Sequence, residues 1–110
     1  MRDDREKLLD ILEAIDKIEE RTMGDKETFQ RDDTIQIWTL YHVQIIGESA
    51  SRVSESLRAR YPQVPWPDIV AMRNVIVHHY FGVDLDQVWD AVVNDLPALK
   101  GWITQMLEEC

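Results

Sequence analysis

Leu8, Ile11, Leu12, Ile15 and Ile18 recur at steps of three and four residues, with Asp10, Glu13, Lys17 and Glu20 falling between them. A strand would alternate; this spacing gathers the apolar side chains on one side of an amphipathic helix, for which Gly24 is the expected stop. "DKETFQ" reads as a short helical turn, and Asp32, Asp33 and Thr34 supply cap candidates for a longer run. Ile35, Trp38, Tyr41, Ile45, Ala50, Val53 and Leu57 carry that run to about Arg60, which predicts a single spine helix some 40 Å long at ~1.5 Å per residue. Within it Gly47, Ser51 and Ser54 follow a helical step, leaving one face narrow enough for another helix to approach closely.

Pro62, Pro65 and Pro67 end the spine. Pro67 suits a first helical position, where its missing N–H costs nothing, and Asp68 favours the positive end of the helix dipole, so the next helix is predicted to start near Pro67 and end by Gly82. Asp84 is a cap for the last stripe, Leu85, Val88, Trp89, Val92, Val93 and Leu96, which Leu99, Ile103 and Met106 continue almost in phase; Pro97 leaves open one kinked helix or two. No strand pattern, repeat or linker interrupts this series. The prediction is one all-α domain over residues 1–110, an antiparallel bundle of about four to five helices.

Charge narrows the functional classes. A net charge of −9 repels polyanions at long range and argues against a broad nucleic-acid-binding face. The distribution is uneven: residues 34–51 carry only Glu48, whereas 52–82 hold Arg52, Arg58, Arg60 and Arg73 against Glu55 and Asp68, the one block with a positive balance. No apolar run approaches the roughly 18 residues a membrane span needs, and the only cysteine is Cys110. The expectation is a cytoplasmic protein with no membrane association, no disulfide framework and no cysteine metal cluster. Three histidines without a His-Glu-x-x-His pattern give no metal site, and no phosphate-binding glycine loop is present, so no cofactor is expected.

The positive block contains "AMRNVIVHHY", polar groups embedded in an apolar helix pattern. With Arg73 at 0° and about 100° per residue, Val77 falls near 40°, Val70 near 60°, Asn74 near 100° and His78 near 140°, while Ile69, Met72, Val75 and Ile76 form a broad apolar face toward the core. Arg73 and His78 lie too far around one helix to meet easily. A twofold axis crossing the strip would bring the arginine of one copy toward the histidine of another, which predicts a homodimer with a shared polar cleft. Tyr41 and His42 read as core or interface packing, the alternative being that they border such a cleft, and the four tryptophans read as core anchors, with Trp66 able to stack a base if exposed.

"RNVIVHHY" is similar to the Arg-polar-x-x-x-His signature of the HEPN superfamily, with the extra tyrosine two residues after the histidine that marks its HepT-like toxin branch. "IIGESASRVSESLRARYP", "VPWPDIVAMRNVIVHHYFGVDLDQVW" and "VVNDLPALKGWI" also resemble that branch, in the expected order and over nearly the whole chain. The resemblance implies a metal-independent endoribonuclease acting on RNA, the toxin of a toxin–antitoxin pair, held inactive by a minimal nucleotidyltransferase antitoxin. The chemistry such cleavage needs is a proton acceptor, a proton donor and a fixed cation at the phosphate. Arg73 supplies a permanent, bidentate cation and His78 an imidazole that titrates near neutrality, the two catalytic candidates, while Asn74 could orient the ring or contact the phosphate. The resemblance also implies that Tyr80 receives AMP from the antitoxin, adding bulk and negative charge beside the cleft. The alternative is a noncatalytic helical protein that binds, or is modified by, a nucleotidyltransferase.

Overall fold

The computed structural model describes residues 2–22, 25–78 and 84–109; of Arg2 and residues 74–78 it describes the backbone alone. These residues form α1 (Arg2–Thr22), α2 (Lys26–Arg31), α3 (Asp33–Ser51), α4 (Glu55–Arg60), α5 (Trp66–His78), α6 (Leu85–Asp90) and α7 (Leu96–Glu109), with a π turn, Ala91–Asp95, joining the last two. No strand occurs among the described residues. The expected bundle is present: α1, α3, α5 and α7 are its long members and the others are short. Its ends show that neighbours run antiparallel. Asp4 of α1 bonds to Ser54 just beyond α3, and Lys17 near the other end of α1 accepts from Trp38 Nε1 early in α3. Lys100 of α7 likewise meets Asp16 and Glu19, while Leu107 accepts from Arg5.

The α1 stripe is the centre of the core. Leu8, Ile11, Ile15 and Ile18 are fully buried, packed in one cluster with Ile46, Leu96, Ile103 and Met106. Removing each such aliphatic side chain from water contributes about 1.5–3 kcal/mol before the entropy of ordering is set against it. The caps expected from sequence form as well: Asp32 accepts from the backbone N–H groups of Thr34 and Ile35, and Asp84 from those of Asp86 and Gln87. Asp25 does the same for α2 through Thr28.

The spine departs from its prediction in two ways. It is two helices, α3 and α4, broken at residues 52–54. Ser54, expected on the narrow face of a continuous helix, instead caps α4: its hydroxyl accepts from Leu57 N–H and donates to Asp4. Arg58 turns back on the break, donating through Nε to the Val53 carbonyl and through Nη2 to those of Ala50 and Ser51. Carbonyls at a helix C-terminus have no partners within the helix and carry its negative dipole end, so a guanidinium there supplies both hydrogen bonds and charge. The second departure is the buried face. Thr39, His42, Val43, Ile46, Gly47 and Ala50 point inward, while Tyr41, read as core or interface packing, is outside the core of the chain, 61% exposed beside Ile37 at 62%. An almost continuously apolar helix has no polar side to identify its outside, and Thr39 disguised its true inner face.

Trp66 is buried and its Nε1 donates to the Tyr61 carbonyl, so it is a core anchor and not a surface for stacking a base. It opens α5 one residue before Pro67. The expected end at Gly82 lies outside the described residues, as does Gly24. Pro97 neither ends nor isolates a helix. Its ring would crowd the carbonyl four residues back, and the π turn immediately before it, closed by Leu96 N–H to the Ala91 carbonyl, widens the coil where that crowding falls. Val93, in the π turn, is 45% exposed in place of its predicted inward position, whereas Val92, Leu96, Leu99, Ile103 and Met106 are buried.

Gly47 is where α5 crosses α3. A Cβ placed on it would lie 2.6 Å from Arg73 Cβ and 3.0 Å from Arg73 backbone N, so the close approach expected of this face is real at Gly47. Alanine here would gain about 1 kcal/mol of helix propensity but force the two helices apart, at about 1–3 kcal/mol. Gly47→Ala should therefore lower stability in urea. At Gly101 an added Cβ meets nothing within 4 Å, so Gly101→Ala should raise stability by about 1 kcal/mol in the same titration.

Asp4 supplies a second test. Burial raises its pKa, but hydrogen bonds from the Ser54 hydroxyl and backbone N–H outweigh that effect and hold the carboxyl below its ordinary value of 3.8. Its contribution to stability is therefore complete above that ordinary value and lost as pH falls through the lower folded one. Asp4→Ala should cost about 1–3 kcal/mol near neutrality, and the gap from wild type should close on strong acidification, read from urea midpoints across pH.

Candidate active site

The site is built where α5 passes over the last turns of α3. Gly47 removes the side chain that would hold the helices apart, bringing the start of the Arg73 side chain onto α3. From there Arg73 Nη1 reaches Glu48 Oε2 at 2.9 Å and Ser51 Oγ at 3.4 Å. Ser51 Oγ itself donates to the Glu48 carbonyl at 2.6 Å, which aims its lone pairs outward to accept. Arg73 is partly covered, 29% exposed, and among the described residues its hydrogen bonds all fall on Nη1. No described residue engages the edge formed by Nε and Nη2, the fork that grips two phosphate oxygens in parallel.

Glu48 also faces Arg52, whose Nη2 lies 3.7 Å from Oε1. One carboxylate thus stands between two guanidiniums at the carboxyl end of α3. A hollow of ≈ 330 Å³ runs beside it along α3, lined by Tyr41, Gln44, Ile45, Glu48 and Ser49. The other arginines of the positive block are engaged elsewhere: Arg58 holds the α3 carbonyls and Arg60 lies over the Tyr61 ring at 5.7 Å.

Asn74 and His78 are carried by the same α5 backbone, Asn74 immediately after Arg73 and His78 at the last of its described positions. On a continuous helix His78 sits about 7.5 Å further along the axis than Arg73 and about 140° around it. The side chains of Asn74 and His78, and all of Tyr80, lie outside the described residues. His42 is a packing residue of α3. It is buried, its Nδ1 donates to the Trp38 carbonyl at 2.7 Å, and its ring packs on Trp38 with centroids 4.5 Å apart. Tyr41 meets the same imidazole edge-on at 5.1 Å and leaves its outer face to solvent. Among the described residues no group of three His, Cys, Asp or Glu side chains is placed to hold a metal ion, and no helix is long and apolar enough to cross a membrane.

Sequence reasoning reached Arg73 and missed Glu48 as its partner. The available signal was the isolation of Glu48: one carboxylate in an otherwise uncharged run of 18 residues, directly after the glycine that admits α5.

Comparison with known proteins places the chain in a family. The model of the family described as "Ribonuclease HepT-like" matches residues 11–106. The chain is 37% identical over 101 residues to a probable ribonuclease HepT of Thermococcus cleftensis, covering 91% of this chain and 92% of that protein. It is 34% identical over 100 residues to a provisionally named RNase of Methanocaldococcus jannaschii, covering 90% of this chain and 92% of the relative. A third relative, from the same archaeon and named as a gamma-glutamylcyclotransferase together with a provisional RNase, is 36% identical; the match covers 90% of this chain but only 45% of that longer protein. No solved structure matches the chain at a significant level. The family match spans the α3 turn that holds Arg73 and the whole "RNVIVHHY" segment, and the chain belongs to the ribonuclease HepT-like family.

Proposed function

We propose that this chain is a metal-independent endoribonuclease, the toxin of a toxin–antitoxin pair that works in the cytoplasm as a homodimer. The observation that carries the reading is the mounting of Arg73: Nη1 fixed by Glu48 and Ser51, and the bidentate edge uncommitted among the described residues. It stands on the helix that carries His78, in a chain that belongs to a ribonuclease family.

The chemistry follows from those groups. A base takes the proton of an RNA 2′-hydroxyl, and that oxygen attacks the adjacent phosphorus. The bond from phosphorus to the 5′-oxygen breaks, and an acid returns a proton to the leaving oxygen. His78 is the group able to take and give protons near neutrality. Arg73 stabilises the charge that gathers on the two non-bridging oxygens, with Asn74 orienting the imidazole or sharing the phosphate. The separation of about 140° between Arg73 and His78 on one helix is why two copies are invoked: a twofold axis across this face gives one cleft both arginines and both histidines, and so an acid as well as a base.

In this reading a minimal nucleotidyltransferase is the antitoxin and transfers AMP to the Tyr80 hydroxyl. The attached nucleotide adds bulk and a negative phosphate, which would exclude RNA by volume and repulsion.

Three measurements test the proposal. Purified wild-type protein should cleave RNA in the presence of a chelator, and Arg73→Ala and His78→Ala should each lose about 100-fold or more with unchanged thermal unfolding. Full cleavage by either folded variant would remove that residue from the mechanism, and an inert wild-type dimer would favour the noncatalytic partner. Sedimentation at micromolar concentration should show a dimer; an active monomer would overturn the shared cleft. After coexpression with the nucleotidyltransferase, intact mass should rise by AMP and Tyr80→Phe should abolish the gain, whereas inhibition without any change in mass would replace modification by simple steric blocking.

A further inference from the structure

We propose that Glu48 turns Arg52 and Arg73 into a cradle for two successive phosphates of one RNA strand. Glu48 is a positioning residue that holds Arg73 by Nη1, and Arg52 contacts the phosphate next to the one that Arg73 grips. The inference rests on the ribonuclease reading for the identity of the strand, and on separate geometry for the cradle.

Three observations carry it. First, a chain of net charge −9 must receive a polyanion at a local positive spot. In the block with a positive balance, Arg58 is spent on helix carbonyls and Arg60 lies on a tyrosine ring, so Arg52 and Arg73 are the cations that remain beside one another. Second, both contact the same carboxylate, Arg73 on Oε2 at 2.9 Å and Arg52 on Oε1 at 3.7 Å, which makes them neighbours on the two oxygens of one side chain. Third, the two contacts differ in kind. Arg73 is partly covered and hydrogen-bonded, as a group that must not move requires, whereas Arg52 is 64% exposed and beyond hydrogen-bond length, free to swing onto a ligand.

A bare carboxylate beside a phosphate-binding arginine would otherwise be a liability, because it repels the substrate. Its presence is explained if orientation outweighs repulsion: a guanidinium tethered at Nη1 presents its Nε and Nη2 edge without first losing rotamer freedom. Arg52 supplies the second positive charge, leaving the trio with net +1.

The test uses full-length protein and two probes of one sequence, a short cleavable RNA and its 2′-O-methyl form, which binds but cannot be cut. In Arg52→Ala the salt dependence of 2′-O-methyl RNA binding should flatten by about 0.7 in log–log slope, the share of one phosphate on a single strand. KM for the cleavable RNA should rise several-fold while kcat changes far less. In Glu48→Gln, which keeps shape and removes charge, kcat should fall about tenfold or more as Arg73 loses its orientation, with RNA binding held or tightened and thermal unfolding unchanged. A purely structural ion pair would move unfolding and leave the split between KM and kcat alone.

If wild type cleaves, Arg73→Ala abolishes cleavage, and Arg52→Ala and Glu48→Gln match wild type in slope and kcat, the cradle is wrong and the ribonuclease reading stands. If wild type binds without cleaving and Arg52→Ala still flattens the slope, the phosphate contact stands and the catalytic reading falls. Absence of both binding and cleavage overturns both.

Discussion

The close crossing of α3 and α5 at Gly47 is the constraint on which the site depends. A hydrogen atom in place of a side chain lets Arg73 begin 2.6 Å from where a Cβ would stand. At that range the short side chains of Glu48 and Ser51, on the same turns of α3, reach the guanidinium. A wider crossing would leave Arg73 hydrogen-bonded to water and free among its many rotamers. The glycine therefore acts on function through packing: it sets a distance between helices, and the distance sets the pose of a charged group.

The rest of the bundle serves that crossing by holding α3 firm. Its inner face is buried against α1, whose stripe of fully covered aliphatic residues is the densest part of the core. Its carboxyl end, which presents Glu48 and Arg52, is closed by Arg58 through three carbonyls. Arg58 gives those carbonyls donors and a compensating positive charge, while Glu48 keeps its contacts with Arg52 and Arg73.

Much of this was legible in the sequence, and the failures have physical causes. The α1 stripe was clear because charged residues mark every other side of that helix. Asp32 and Asp84 were legible because side-chain caps act locally, within three residues. Gly47 was legible as a packing residue through its step to Ser51. The break between α3 and α4 was not, because, of the residues that make it, Asp4 lies far away in sequence and Arg58 reads as one more position of a continuous spine. On α3 the packing reading of His42 held, whereas Thr39 was passed over for the bulkier Tyr41, yet it is the small hydroxyl that fits between helices. Glu48 escaped because a lone carboxylate has no periodicity; its role exists only once α5 has been laid across it. Asn74, His78 and Tyr80 were singled out by motif, and of these the fold speaks only to the helix that carries the first two.

The Ser54 hydroxyl has a double duty whose consequence concerns how the molecule comes apart. It accepts from the first turn of α4 and donates to Asp4 near the beginning of α1, while the backbone N–H of the same serine bonds to the other oxygen of that carboxylate. The amino-terminal helix and the short α4 therefore share one fastening. Peeling α1 away strips the start of α4 of the group that orients its cap, and fraying α4 deprives Asp4 of the donors that make its burial tolerable. Local loosening at either place is converted into loss at both, which ties the amino-terminal end of the chain to the cooperative unit that contains the carboxyl end of α3.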